Sequence, residues 1–198
     1  MAGQDWRVVK AMCYQESLYD HMAVSSVGAM GVCQLMPDTF KWVVKRVGMN
    51  GADVFKAKDN IYAGVAYLSW IHGQWSPKRT SWQRFELTFA SYNAGIGNVL
   101  KAQKTCNNSM VWKVIKGCLH DVTGKNNSEQ TIDYVSKIER WYGELKVCQP
   151  NDLQGYNLYA IIEFVSKLYN VYTAMEIWLQ QSHNEGVSGN EQRQHAIV

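Results

Sequence analysis

The sequence is poor in proline and in clustered charge, and it has no apolar leader at its beginning. It has three prolines in 198 residues, and 19% of its residues are charged, with a formal net charge of +3. Because the lysines and arginines are scattered, the composition does not favour a nucleic-acid partner. The first twelve residues, MAGQDWRVVKAM, lack the basic start and apolar run of a signal peptide. We therefore expect a protein that begins in the cytoplasm, or one whose export signal has been removed.

The sequence also lacks the CxxC and Cys/His spacings of metal sites, so we expect neither a metal ion nor a cofactor. Its five cysteines are an odd number. Cys13 and Cys33 lie in apolar segments, where we expect them to be small, reduced core residues. Cys106 and Cys118 could close a loop in an oxidising compartment, and Cys148 lies further on in a similar polar region. Reduced thiols are the favoured interpretation.

What the sequence does have is helical periodicity, with eight Trp and eleven Tyr among an apolar fraction of 46%. This length can bury the core of one domain with an appendage. In DWRVVKAMCYQES, for example, Val9, Met12 and Glu16 fall on one helix face. His72 lies in line with the apolar residues of another helix, where a structural histidine is the favoured interpretation. We expect a mainly α-helical fold.

The expected domain boundary separates residues 1–149 from residues 150–198. Within the second part, residues 156–181 are apolar and long enough to cross a bilayer. Three charged residues interrupt the stretch: Glu163, Lys167 and Glu176. Because charges inside a bilayer are costly, a helix docked on the domain or on a partner is favoured over a membrane segment. We expect a flexible tail after it and a monomeric protein, with a membrane or protein partner for this helix left open.

Glu16 is the carboxylate with the clearest chemical potential. It lies on the apolar face near the C-terminal end of its helix, so both desolvation and the helix dipole should raise its pKa. A carboxylic acid that is still protonated near neutral pH can donate a proton to a glycosidic oxygen. Taken alone, however, a buried glutamate neutralised by a partner is the favoured interpretation.

The surrounding motifs change that balance, because residues 16–39 are similar to the signature of soluble-type lytic transglycosylases, a branch of the lysozyme-like superfamily. The matching residues are Glu16, Ser17, Ser25, Gly28, Ala29, Gly31, Gln34, Met36, Pro37 and Thr39. Downstream, NIYAGVAYL (60–68) and ASYNAGIGNV (90–99) look like the family's Asn-Ile-x-x-Gly-x-x-Tyr-Leu and Ala-Tyr-Asn-Ala-Gly motifs. The resemblance covers residues 6–142 and does not extend to residues 150–198.

The resemblance implies a lysozyme-like helical domain with a small β-like turn segment at the active-site cleft, followed here by the C-terminal helix. It also implies cleavage of peptidoglycan without the addition of water. In this family one glutamate does both proton transfers, which would be Glu16 here. It would protonate the oxygen between N-acetylmuramic acid and N-acetylglucosamine. It would then take the proton from the muramic C6 hydroxyl as that oxygen attacks C1, leaving a 1,6-anhydro sugar.

The resemblance further implies a set of substrate-binding residues: Ser17, Gly31, Gln34, Met36, Tyr92, Asn93, Gln130 and Tyr134. Gly31 would let the backbone approach the sugar closely, and Gln34 would offer it both a donor and an acceptor. Met36 would line an apolar floor. Tyr92 would hydrogen-bond near Glu16 or the substrate. Position 130 carries glutamine where the family usually has glutamate, which leaves binding at that edge of the cleft open.

Two other functions compete with this interpretation. A goose-type lysozyme shares the fold but uses a second carboxylate to activate water. The candidates for it are Asp20, Asp38, Asp53 and Asp59, none of which lies between Gly28 and Gln34, where that acid is expected. The other alternative is an inactive wall-binding or virion component. The retention of Glu16 and Tyr92 argues against it. The setting is either a bacteriophage endolysin or an exported periplasmic enzyme, and in both cases the site of action is the cell wall.

Overall fold

The structure, a computed structural model, describes residues 5–75 and 78–147. Most of these residues are in helices. The helices are α1 (Trp6–Ser17), α2 (Pro37–Arg46), α3 (Ala57–Gln74), α4 (Ser81–Ala94), α5 (Ile96–Thr105), α6 (Trp112–Ile115), α7 (His120–Thr123) and α8 (Lys125–Val147). A 3₁₀ turn at Lys116–Cys118 joins α6 to α7. The mainly α-helical fold expected from the periodicity is confirmed.

The long helix α8 packs against both α1 and α4. It buries Tyr134, Val135 and Ile138 completely or nearly so. α1 begins where the Asp5 side chain accepts a hydrogen bond from the backbone N–H of Arg7, which satisfies one free donor of the first turn. Because α1 lies along α8, its C-terminal end is held beside the middle of the longer helix.

Residues 18–36 connect α1 to α2 and are called here the turn segment. Isolated antiparallel bridges pair Val24 with Met30 and Met30 with Leu35, which matches the small β-like segment that the resemblance implied. Leu35 and Val32 are buried, whereas Val27 at the bend is 74% exposed. The segment therefore folds back on itself and presents its bend to solvent.

Two disulfide bonds correct the expectation of reduced thiols. Cys13 of α1 is bonded to Cys33 of the turn segment, and Cys106 is bonded to Cys118, the pairing that the sequence left open. The first prediction was wrong because apolar surroundings suit a disulfide as well as a thiol, and the turn brings these two Cα atoms to 4.5 Å. The sequence separations are 20 and 12 residues, so each bond should stabilise the fold by about 3 kcal/mol.

His72 is structural, as expected, but its side chain is not satisfied. It is 1% exposed and stacks on Phe85 with ring centroids 4.8 Å apart. Neither ring nitrogen has a hydrogen-bond partner among the described residues. Burial, with a smaller contribution from the positive charge of Arg84, lowers the pKa of His72 to about 4. The ring is therefore neutral in the folded protein near neutral pH, and none of the described residues would accept a hydrogen bond from a protonated ring.

Replacing His72 with phenylalanine should make the fold less sensitive to acid. The unfolded chain binds a proton at His72 near pH 6.5 and the folded chain only near pH 4, so stability is fully present above pH 6.5 and is lost as pH falls through 4. That loss amounts to at most about 3 kcal/mol. Urea unfolding between pH 4 and 7 measures it, and the exposed His21→Gln variant is the control. A His72→Phe protein as acid-sensitive as the wild type would contradict this account.

Some predictions concern parts of the chain that the structure does not describe. The boundary and C-terminal segment at residues 150–198, including the docked helix at 156–181, lie outside the described residues, and so does Cys148. They stay predictions. Within residues 5–75 and 78–147, no helix combines the length and apolar character needed to cross a membrane.

Candidate active site

A cavity of about 870 Å³ lies where the end of α1, the turn segment, α4 and α8 meet. The first residues of its wall are Gln15 and Glu16 from α1, while Ser25, Val27 and Ala29 belong to the turn segment. Glu16 and six of the eight predicted substrate-binding residues line it: Gln34, Met36, Tyr92, Asn93, Gln130 and Tyr134. The fold therefore brings Glu16 together with Tyr134, which is 118 positions away in the sequence.

Glu16 lies in this wall largely shielded from water. Burial raises its pKa to about 7, as expected from its place on the apolar face, and a hydrogen bond from Tyr134 opposes part of that rise. The Tyr134 hydroxyl donates to Oε1 of Glu16 at 2.5 Å. This partner is a neutral phenol rather than a cation, so the carboxyl is not held ionised by an ion pair. Near neutral pH both its protonated and ionised forms are populated.

Tyr92 stands near Glu16 but donates its hydrogen bond elsewhere. Its hydroxyl donates to the backbone carbonyl of Cys33 at 2.8 Å, which ties α4 to the turn segment. Burial, then the negative charge of Glu16, then Tyr67 raise the pKa of Tyr92 well above its usual value. Tyr92 therefore remains a neutral phenol that helps to shape the wall beside Glu16.

Gln34 uses its amide nitrogen inside the turn segment. Nε2 donates to the carbonyls of Ala23 at 3.2 Å and Gly31 at 2.9 Å. The backbone of Gln34 has a φ of 48°, which an L-residue adopts at some cost. The donor that we expected it to offer a substrate is thus already engaged, and its carbonyl oxygen is the group left to face the cavity.

Two predicted binding residues do not line the cavity. The hydroxyl of Ser17 donates to the carbonyl of Val32 at 2.7 Å, so it fastens the end of α1 to the turn segment. Gly31 is buried, and a Cβ at this position would lie 2.3 Å from Nδ2 of Asn60 and 2.6 Å from the carbonyl oxygen of Val54. The close approach that calls for glycine at position 31 is therefore made by the protein itself rather than by a sugar.

Asn60 supports this site without lining the cavity, and sequence reasoning missed its role. It is fully buried at the start of α3, and its Oδ1 accepts from the backbone N–H of Cys33 at 2.8 Å. Its Nδ2 donates to the carbonyls of Met30 at 3.0 Å and Val54 at 2.9 Å. One side chain thus holds three backbone groups of the cavity's supporting wall. The signal was present, because Asn60 opens the NIYAGVAYL motif.

Residues of α4 and α8 also line the cavity, and a side-chain hydrogen bond joins these two helices. The hydroxyl of Thr131 donates to Oδ1 of Asn93 at 2.8 Å, so Asn93 links the two helices. Gln130 lies beside Thr131 on the exposed side of α8. The uncharged amide at this position therefore faces the open edge of the cleft.

A second carboxylate, Asp133, also lines the cavity. Its Oδ2 forms an ion pair with Nζ of Lys137 at 2.7 Å, and its side chain is 60% exposed. The four aspartates weighed as water-activating acids lie elsewhere, outside the cavity wall. The sequence does not indicate Asp133 because it lies far along the chain from the glycine-rich turn, and only the packing of α8 brings it to the cleft.

Comparison with known proteins identifies the family of this chain. Residues 1–115 match the family model described as the transglycosylase SLT domain. The chain is 31% identical over 158 residues to membrane-bound lytic murein transglycosylase F of Desulfosudis oleivorans, covering 73% of this chain and 34% of that protein. The protein of the same name from Alcanivorax borkumensis is 28% identical over 155 residues, 71% of this chain and 32% of the relative. The chain spans about a third of the length of these relatives.

Solved structures share the fold. The 70 kDa soluble lytic transglycosylase of Escherichia coli superposes with a TM-score of 0.58 at 21% identity, over 74% of this chain and 23% of that one. An inactive glutamate-to-glutamine mutant of the lytic transglycosylase Slt from Pseudomonas aeruginosa gives a TM-score of 0.56 at 27% identity, with the same coverage. These likenesses confirm the expected lysozyme-like helical fold.

Proposed function

The chain belongs to the transglycosylase SLT domain family, and from this premise we propose that it is a peptidoglycan lytic transglycosylase. The bond cleaved is the β-1,4 link between N-acetylmuramic acid and N-acetylglucosamine. The observation that carries the proposal is Glu16, a shielded carboxyl on a cavity wall with a pKa of about 7. The relatives named lytic murein transglycosylases support the same reaction, although they are longer than this chain.

Glu16 serves first as the acid. In its protonated form it donates to the glycosidic oxygen while the bond from that oxygen to muramic C1 breaks, and positive charge develops at C1. The carboxylate that results is stabilised by the hydrogen bond from Tyr134. A pKa of about 7 suits this step, because the proton is present near neutral pH and is still readily transferred.

Glu16 serves next as the base. Its carboxylate takes the proton of the muramic C6 hydroxyl while that oxygen bonds to C1. The sugar closes into a 1,6-anhydro ring, and Glu16 recovers its proton for the next cycle. No water enters the balance, so a second carboxylate is not required. Met36, which is 43% exposed at the cavity, offers an apolar surface to a sugar ring, and Gln130 contributes an uncharged amide at the cleft edge.

The two disulfides bear on where the enzyme works. Disulfides persist in oxidising compartments and are rare in the reducing cytoplasm. The Cys13–Cys33 and Cys106–Cys118 bonds therefore favour an exported enzyme that acts on the wall from the periplasmic side. They weigh against an endolysin that waits, fully folded, in a host cytoplasm.

Mass analysis of digested peptidoglycan tests the proposal. We expect muropeptides lighter by one water than those from a hydrolytic muramidase digested in parallel, with no reducing muramic end. A reducing muramic end would instead indicate the goose-type hydrolase, in which Asp133 would be the acid to examine because it shares the cavity with Glu16. Binding to the wall without any released product would indicate the inactive alternative.

Replacing Tyr134 with phenylalanine should move the pH dependence of kcat upward. The lost hydrogen bond favours the ionised form of Glu16, so its removal raises the pKa of that carboxyl above about 7. We expect kcat at pH 7 to fall roughly tenfold, since a hydrogen bond to a charged group contributes about 1.5 kcal/mol or more. A pH–kcat profile measures both effects.

The matched control for that change is Tyr142→Phe. The Tyr142 hydroxyl also donates from α8 to a carboxylate at α1, but its partner is Asp5 at the far end of α1, at 3.0 Å. This variant removes the same kind of hydrogen bond without touching Glu16, and its profile should match the wild type. Equal shifts in the two variants would show that the effect of Tyr134 is not local.

A further inference from the structure

One covalent bond joins the helix that carries Glu16 to the turn segment. Cys13 lies on α1 three residues before Glu16, and Cys33 directly precedes Gln34 in the turn segment. Both cysteines are buried, at 3% and 0% exposure. The disulfide therefore closes a loop that contains Glu16 and nearly all of the turn segment.

Cys33 is also the residue through which two other helices, α3 and α4, hold the turn segment. Its backbone N–H donates to Asn60 of α3 and its carbonyl accepts from Tyr92 of α4, both at 2.8 Å. With the bond to Cys13, three helices converge on one residue beside the cavity. Both backbone groups of Cys33 are thus satisfied, by the buried side chain of Asn60 and the partly buried side chain of Tyr92, and displacing Cys33 would disturb both hydrogen bonds.

The fold makes room for this bond on α3. A Cβ at Gly64 would lie 2.9 Å from Cβ and 3.0 Å from Sγ of Cys33. These distances are shorter than side chains tolerate, so the disulfide packs directly on the backbone of α3. The close packing of Cys33 therefore explains why position 64 is glycine, a reason that the sequence motif alone did not give.

We propose that the Cys13–Cys33 disulfide is a positioning element of the active site, which holds α1 against the turn segment so that Glu16 stays shielded and aimed into the cavity. The proposal rests on the proposed function for its effect on catalysis. Cys13 and Cys33 do not touch the reacting atoms. They act through the position of Glu16, in contrast to Cys106 and Cys118, whose bond joins the end of α5 to the 3₁₀ turn.

The proposal has a specific electrostatic consequence. The titratable groups that face Glu16 or share its cavity are Tyr92 from α4 and Tyr134, Asp133 and Lys137 from α8. The turn-segment residues in the wall do not titrate in this range, so this segment acts on Glu16 mainly by excluding water. If the bond is lost and the wall loosens, water reaches the carboxyl and its pKa falls from about 7 toward 4.5.

The test compares two variants, each of which lacks one of the two disulfides. Cys13→Ala/Cys33→Ala should lower kcat about tenfold or more, since small displacements of a catalytic group are costly. KM should change little. The pKa of Glu16, followed by NMR of its labelled carboxyl carbon, should fall by about one unit or more, with the acid limb of the pH–kcat profile moving with it. Cys106→Ala/Cys118→Ala removes a disulfide that closes a loop of 12 residues, against 20 for Cys13–Cys33, and should leave both kcat and the pKa of Glu16 unchanged.

Every outcome decides the question. Unchanged kcat and pKa in Cys13→Ala/Cys33→Ala would overturn the proposal, and so would equal effects in the two variants. If that protein does not fold by circular dichroism, Cys13→Val/Cys33→Ala restores part of the lost volume. Failure of both to fold would also overturn the proposal, because the bond would then be a requirement of the fold. If the wild type itself releases no product, the proposed function fails, while the pKa comparison still decides the role of the disulfide.

Discussion

Glu16→Gln should remove nearly all activity and leave the fold intact. An amide of the same size can still accept the hydrogen bond from Tyr134, so the wall should keep its shape. It can neither donate an acidic proton to the glycosidic oxygen nor take one from the C6 hydroxyl. Losing general acid–base help typically costs roughly 10²–10⁴-fold in kcat. Release of soluble muropeptides measures the loss, and circular dichroism checks the fold.

The same substitution should make the protein more stable above neutral pH. The pKa of Glu16 is about 7 when folded and 4.5 when unfolded, so its contribution to stability is fully present below pH 4.5 and is lost as pH rises through 7. Glutamine does not ionise and avoids that loss. We expect Glu16→Gln to gain up to about 3 kcal/mol over the wild type at pH 8, and little at pH 4.5. Urea unfolding at the two pH values measures the difference.

The controls for Glu16→Gln are the other carboxylates. Asp133→Asn removes the other acid found in the cavity wall and should reduce activity only modestly, since Lys137 already neutralises it. Replacement of each acid proposed from sequence should leave the anhydro product intact; these are Asp20, Asp38, Asp53 and Asp59. An Asp→Asn variant as inactive as Glu16→Gln, with its fold unchanged, would identify a two-carboxylate hydrolase instead.

Much of this site could be predicted because it depends on local order along the chain. The 3.6-residue period placed Glu16 on the apolar face of α1, and that placement explains its raised pKa. The motif around Tyr92 similarly predicted a residue beside the cavity. For Glu16 the chemistry depends on which helix face the residue occupies, and the periodicity encodes that directly, whereas the place of Tyr92 follows from the resemblance of its motif to that of the family.

What the sequence could not show depends on the path of the backbone between helices. The Cys13–Cys33 pairing requires the turn segment to fold back onto α1, which no spacing rule predicts. The role of Asn60 likewise depends on three backbone groups that converge only in the folded chain. Asp133 reached the cavity because α8 crosses it. Such contacts join distant parts of the sequence, and their partners become visible only in three dimensions.

Gly31→Ala should disturb the packing of the turn segment on Asn60. We expect it to be the most destabilising of the single substitutions proposed here. Gly31 has a φ of +74°, a conformation that costs an L-residue roughly 1–2 kcal/mol. Its new Cβ would lie 2.3 Å from Nδ2 of Asn60 and 2.6 Å from the carbonyl of Val54. Asn60 would have to move and give up buried hydrogen bonds, at about 1–3 kcal/mol for each group left unsatisfied. We therefore expect a loss of about 3 kcal/mol or more in urea unfolding.

Gly28→Ala separates the two causes of that loss. Gly28 also has a positive φ, of +86°, but a Cβ there meets nothing within 4 Å. It should bear only the conformational cost of roughly 1–2 kcal/mol and retain most of its activity. Equal losses at both positions would mean that backbone conformation alone is responsible. A much larger loss at Gly31, with lower kcat in the fraction that stays folded, would mean that Asn60 holds the wall against which Glu16 works.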